Sequence, residues 1–146
     1  MARISHGSSV VIFTFDCDVG KQTWLYECFP FFWDPFDVLP SVGEVADMLS
    51  RSIGCNTAIE SFCLPPDITD GFAAAAWRQP WRYLDELYRA NISSLRKAKP
   101  DLVARCVRKL SDDLTSGAWE QRHGSLLRLP VFDAGYRFIF TIAENN

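Results

Sequence analysis

The residues best suited to chemistry lie between positions 16 and 36. Asp16 directly follows the apolar run Val10-Val11-Ile12-Phe13-Thr14-Phe15. A carboxylate at the carboxyl end of a strand stands where open α/β sheets bind ligands, and it could orient a polar group of a small molecule. The plainer alternative is a loop acid that caps local backbone. Trp24, Tyr26, Phe29, Phe32 and Trp33 crowd into the next stretch. Such a cluster could wall a pocket for a small-molecule substrate, pack a core beneath a loop, or meet a missing domain or partner chain.

Other candidates are weaker. Glu60, Asp67, Thr69 and Asp70 lack the oxygen count of a calcium loop and read better as turn and cap residues. His123 has no nearby Ser–Asp or Cys partner in the sequence, so a structural role is the simpler reading. His6 belongs to a polar N-terminal stretch. The five cysteines, at 17, 28, 55, 63 and 106, are odd in number and form no C-x-x-C pair, which points to reduced thiols rather than a disulfide framework or a zinc site. The basic residues from Arg89 to Lys109 could meet an anionic partner, or form the solvated face of two helices.

The elements that must position these residues follow from periodicity. Val10–Phe15 has almost no polar alternation and reads as a strand buried on both faces, closed by a loop at 16–20. A short helix near 22–28 leads into an irregular aromatic loop, since Pro30, Pro35 and Pro40 forbid one long helix. Ser41 and Glu44 make a capping box for a helix over 42–52, with Gly54 as its left-handed stop. Thr57–Leu64 reads as a strand. Asp70 caps an expected helix at Phe72–Arg78, and Pro80 opens another at Trp81–Ala90. Pro100 begins the longest helix, ended by Gly117, and its Lys109–Asp113 and Arg108–Asp112 spacings allow ion pairs. A helical turn through Trp119 follows, then a final strand from Tyr136 to Ala143 before a frayed Asn145-Asn146 end.

Composition sets outer bounds. With 146 residues, 48% of them apolar and 14% aromatic, the chain reads as one globular domain over 1–146. A formal net charge of −3 argues against a nucleic-acid partner. No run approaches the length of a membrane span or a signal peptide, so no membrane partner and a cytoplasmic location are expected.

Four stretches together resemble class I S-adenosylmethionine-dependent methyltransferases, in their C-terminal part. They are Gly7-Ser8-Ser9-Val10 leading into Val11–Asp16; Leu39-Pro40-Ser41-Val42-Gly43-Glu44-Val45; Pro65–Phe72 with Trp77-Arg78-Gln79-Pro80 and Tyr83-Leu84-Asp85; and Leu114–Gly124 with Asp133-Ala134-Gly135-Tyr136-Arg137. The resemblance implies an α/β fold holding the last three strands of a seven-stranded, Rossmann-like sheet. The expected order is first-third-second, with the last strand antiparallel. In that reading Asp16 faces the substrate cleft, and the expected substrate-binding residues are Asp16 with the aromatic Trp24, Tyr26, Phe29 and Trp33.

The family's cofactor lies over strands that would precede this chain. The eight glycines, at 7, 20, 43, 54, 71, 117, 124 and 135, include no G-x-G pair, so no loop has the spacing that lets backbone approach a nucleotide. The expectation is a substrate-side half or subunit of a methyltransferase, inactive alone, with no cofactor of its own and S-adenosylmethionine bound only if a partner supplies the missing half. The alternative is a non-enzymatic binding or assembly module derived from such an enzyme. Either way, the open edge of Val10–Phe15 is expected to pair with a second copy, giving a homodimer, or with a partner protein.

Overall fold

The computed structural model describes residues 9–142. Gly7-Ser8 of the resemblance, His6, and the expected C-terminal end at Ala143, Asn145 and Asn146 lie outside the described residues. Three strands form one sheet: β1 (Val11–Phe15), β2 (Thr57–Ser61) and β3 (Tyr136–Thr141), in the order β1-β3-β2. β3 runs antiparallel to both neighbours, with Ile12 and Ile59 opposite Ile139. The α/β fold and its strand order are therefore as expected.

The register gives the sheet two unlike faces, because cross-strand partners share a side. One face carries Ile12, Ile139 and Thr57. Helix α3 (Val42–Ile53) packs here, and the Thr57 hydroxyl donates to the Ala46 carbonyl at 3.3 Å. Ile139 beneath it is fully buried. The capping box forms as read: Ser41 Oγ accepts from Glu44 N, and Glu44 Oε2 accepts from Ser41 N at 2.7 Å. Gly54 ends the helix at φ 75°.

The other face is aromatic. Phe13 stacks on Tyr136 at 5.5 Å and leans on Phe138, while Phe15 stacks on Trp33 at 4.2 Å. Only the Phe15 end of this face is covered. Val11 is 61% exposed and Phe13 50% exposed, which corrects the expectation that β1 is buried on both faces. Helix α3 covers the opposite face, and the Val11 end of the aromatic face stays exposed. Among the described residues β1 pairs along one edge only.

The core sits between the turns at 72–84 and the helices α2 (Trp24–Cys28), α6 (Pro100–Thr115) and α7 (Ala118–His123). Trp24 anchors it: its indole N–H donates to the Trp77 carbonyl at 3.0 Å, and its ring meets Tyr83 and Trp119 edge-on. Edge-to-face pairs of this kind add about 1 kcal/mol each to the area they bury.

Several helices differ from expectation. Residues 72–78 form successive turns, with Ala75 N bonded to Phe72 O and Trp77 N to Ala74 O. Side chains take carbonyls that an α-helix would need, since Tyr83 Oη donates to Ala73 O and Trp24 to Trp77 O. The expected helix over 81–90 splits into a 3-10 turn (Pro80–Leu84) and α4 (Glu86–Ala90), because Asp85 turns extended and caps α4 through Leu87 N. A short α5 (Ser93–Lys97) follows. At 16–20, expected as a loop, the chain makes a four-residue helix, α1 (Cys17–Gly20). Lys109 pairs with Asp113 at 2.8 Å, whereas Arg108 makes no ion pair with Asp112 among the described residues.

Candidate functional site

The carboxyl end of β1 is fixed from two sides. Asp16 N donates to Gly135 O at 2.7 Å, tying β1 to the turn before β3. The Asp16 carboxylate accepts from Asp18 N at 3.1 Å and Val19 N at 3.3 Å, capping α1. The turn at Gly135 needs glycine. Its φ is 103°, and a Cβ there would stand 2.6 Å from the Asp16 carbonyl oxygen. Asp133 and Arg137 brace the same turn: the buried Arg137 guanidinium donates to both Asp133 oxygens at 2.7 and 3.0 Å, and Asp133 also accepts from Gly135 N.

Two cavities open beside this end of the sheet. The larger, about 580 Å³, lies between the Asp16–Cys17 turn and the start of α3, with Lys21 and Asp37 on its rim. Lys21 Nζ is 2.6 Å from Asp37 Oδ1. Burial, followed by the nearby Asp37 carboxylate, pushes the Cys17 thiol above its ordinary value, so it is not a ready thiolate nucleophile. The smaller cavity, about 330 Å³, is walled by Trp24, Tyr26 and Phe132 and edged by Lys21, Glu27 and His123. Volumes in this range suit small molecules.

A charged network backs the smaller cavity and joins three helices. Lys109 and Arg122 both reach Asp113 Oδ2 at 2.8 Å. Arg122 Nε continues to Glu27 Oε1 at 3.0 Å, and Glu27 Oε2 lies 2.9 Å from His123 Nε2. The His123 contact is not aligned as a hydrogen bond; it becomes an ion pair when the ring is protonated. Hydrogen bonds from Lys109 and Arg122 outweigh burial and hold the Asp113 carboxyl below its ordinary value. The arrangement can take up a proton on an imidazole flanked by a carboxylate.

The sequence-selected residues separate into two groups. Trp24 and Tyr26 line the smaller cavity and Asp16 the larger, with Lys21 shared between them. Phe29 and Trp33 are fully buried and line neither: Phe29 leans on Tyr83, and Trp33 stacks on Phe15. Nothing in the local sequence marks Glu27, Lys21 or Arg122 as site residues, and the sequence offers His123 no partner. Its partner Glu27 comes from the far end of the chain, on α2, so no local spacing could have signalled the pair.

S-adenosylmethionine, which the family resemblance implies, needs backbone that can approach a nucleotide closely. Gly20 and Gly135 are the described glycines with no room for a Cβ, and what crowds them is the chain's own Phe15, Trp33 and Asp16. Gly43 borders the larger cavity, but a Cβ there would meet nothing. None of the described glycines therefore forms an open cradle that a Cβ would fill beside either cavity.

No protein-family model matches the chain, and no curated protein matches it. Among solved structures it is similar to a crystal structure described as a "putative methyltransferase from antibiotic biosynthesis pathway", from Anabaena variabilis ATCC 29413. The two share 38% sequence identity and superpose with a TM-score of 0.87, over 92% of this chain and 55% of that one. The chain spans about half the length of that protein. In fold and sequence it is methyltransferase-like.

Proposed function

We propose that this chain is the substrate-side part of an S-adenosylmethionine-dependent methyltransferase, and that the cofactor is held by polypeptide outside it. The observation that carries this reading is the 38% identity to a methyltransferase-described protein, extending over nearly all of this chain and little more than half of that one. The remainder of a catalytic unit would supply a strand for the edge of β1 that no described strand pairs, and would cover Val11 and Phe13; a second copy of the chain is the other way to close that edge.

Methyl transfer depends largely on holding the acceptor in line and excluding water. In this reading Trp24 and Tyr26 wall the acceptor, and Asp16 fixes the α1 turn beside it. His123, paired with Glu27, accepts the proton that an acceptor hydroxyl or amine gives up. Aromatic walls edged by Lys21, Glu27, Arg122 and His123 favour a small acceptor that carries both a ring and polar groups.

The test is reconstitution. The part of the Anabaena protein that has no counterpart here is joined ahead of this chain, or supplied as a separate polypeptide. Transfer from S-[methyl-3H]adenosylmethionine is then measured to a panel of phenols, carboxylic acids and amines. Labelled product, reduced by His123→Asn with loss of the alkaline-rising limb of the pH profile, is the expected result. A folded hybrid that methylates nothing overturns the reading; labelled product with an unchanged His123→Asn profile removes the proton-accepting role alone.

A further inference from the structure

The chain has a formal net charge of −3, yet the segment from Arg89 to Lys109 carries seven basic residues and one acid, Asp101. Helices α4, α5 and α6 fold this segment around a groove of about 560 Å³. One face of α6 forms a wall through Pro100, Val103, Ala104, Val107 and Arg108, the i, i+3, i+4, i+7, i+8 set. Leu95, Ala98 and Ala90 face it from the other side.

The rim is cationic. Arg89, Arg96 and Arg108 border the groove, and Glu86 is the one acid that does. Arg89 is engaged, donating to the Tyr83 carbonyl at 2.8 Å. Arg96 and Arg108 are exposed and make no hydrogen bond or ion pair among the described residues. Nearby acids are committed elsewhere or unpaired with them: Asp85 caps α4, Asp113 holds Lys109 and Arg122, and Asp112 does not reach Arg108.

An apolar floor between uncompensated guanidinium groups is complementary to an element that is apolar on one side and acidic on the other. We propose that this groove docks an acidic amphipathic helix of another protein. Its apolar side lies on Val103, Val107 and Leu95, and its carboxylates meet Arg96 and Arg108. A nucleic acid would leave the apolar floor unused and finds no aromatic ring in the groove on which to stack a base. A bilayer needs a protruding apolar surface, and this one is concave. The inference rests on the groove alone and does not require the methyltransferase reading.

The test is fluorescence anisotropy with the full chain and a labelled helical peptide of about 18 residues, five turns long, with Leu along one face and Glu on the other. Its counterpart with Lys in place of Glu, a single-stranded RNA and phosphatidylglycerol vesicles are measured beside it. The acidic peptide is expected to bind, more weakly as salt rises, while the Lys peptide does not. Reversing both free charges, Arg96→Glu with Arg108→Glu, weakens binding by about tenfold or more. Ala104→Trp, which fills the groove from an exposed helix position, weakens it by a similar factor. Circular dichroism checks that each variant is folded. No binding of the acidic peptide at about 1 mM, the weak limit of specific recognition, overturns the proposal. So does unchanged binding by the charge-reversed variant, or by Ala104→Trp, or tighter binding of the RNA or the vesicles than of the peptide.

Discussion

Replacing Asp133 with Asn should destabilise the fold at neutral pH and do little in acid. Arg137 is 8% exposed and its guanidinium is held bidentately by Asp133, 2.7 and 3.0 Å away. Breaking a fully buried ion pair by removing one partner costs about 3–5 kcal/mol, because a buried charge is left uncompensated. Asp133 is 39% exposed on its side chain, so water offsets part of that loss, and about 2 kcal/mol is the expected cost. The sign of the pH dependence follows from the carboxyl. Burial pushes it up, but hydrogen bonds from Arg137 and from Gly135 N more than offset burial, leaving it below its ordinary value. A depressed folded-state value stabilises the fold above the unfolded carboxyl range, near pH 4, and that stabilisation is lost as pH falls through the folded value. Urea unfolding of the wild type and Asp133→Asn at pH 7 and at about pH 2.5 reads the difference. A gap of about 2 kcal/mol at pH 7 that narrows in acid is expected. Equal stabilities at pH 7, or a gap undiminished in acid, would refute the reasoning.

Gly135→Ala, at φ 103° and with its Cβ driven against the Asp16 carbonyl, should cost about 3 kcal/mol or more, read as a lower urea midpoint with unchanged slope. Trp33→Ala empties a fully buried ring site stacked on Phe15 and should cost about 3–5 kcal/mol in the same assay. Burial pushes the Cys28 thiol up to about 12, so a disulfide reagent at neutral pH should label it only at the rate of unfolding. Prompt labelling of Cys28 in the folded chain would contradict the packing around α2.

The elements with self-contained local signals were legible. Ser41, Glu44 and Gly54 define α3 between them, and Pro100 and Gly117 do the same for α6. Both helices also carry an unbroken apolar stripe. The stretch from Phe72 to Ala90 reads as two helices but folds as turns, a 3-10 turn and the short α4, because side chains outside the local pattern decide it: Trp24 and Tyr83 claim carbonyls in the turns, and Asp85 restarts the chain as an N-cap. The apolar run of β1 predicted two buried faces. Only packing determines which part of a strand is covered, and here that is the Phe15 end. For the candidate site, the sequence pointed to Trp24, Tyr26 and Asp16 around the cavities. It could not pair Glu27 with His123, because α2 and α7 meet only through the tertiary fold.

The most direct measurement is a calorimetric titration with S-adenosylhomocysteine, of this chain alone and of the chain reconstituted with the unmatched part of the Anabaena protein. The account predicts no uptake by the chain alone and micromolar binding by the reconstituted protein, with one site per assembled unit. Micromolar binding by the chain alone, or a folded reconstituted protein that binds none, would contradict it.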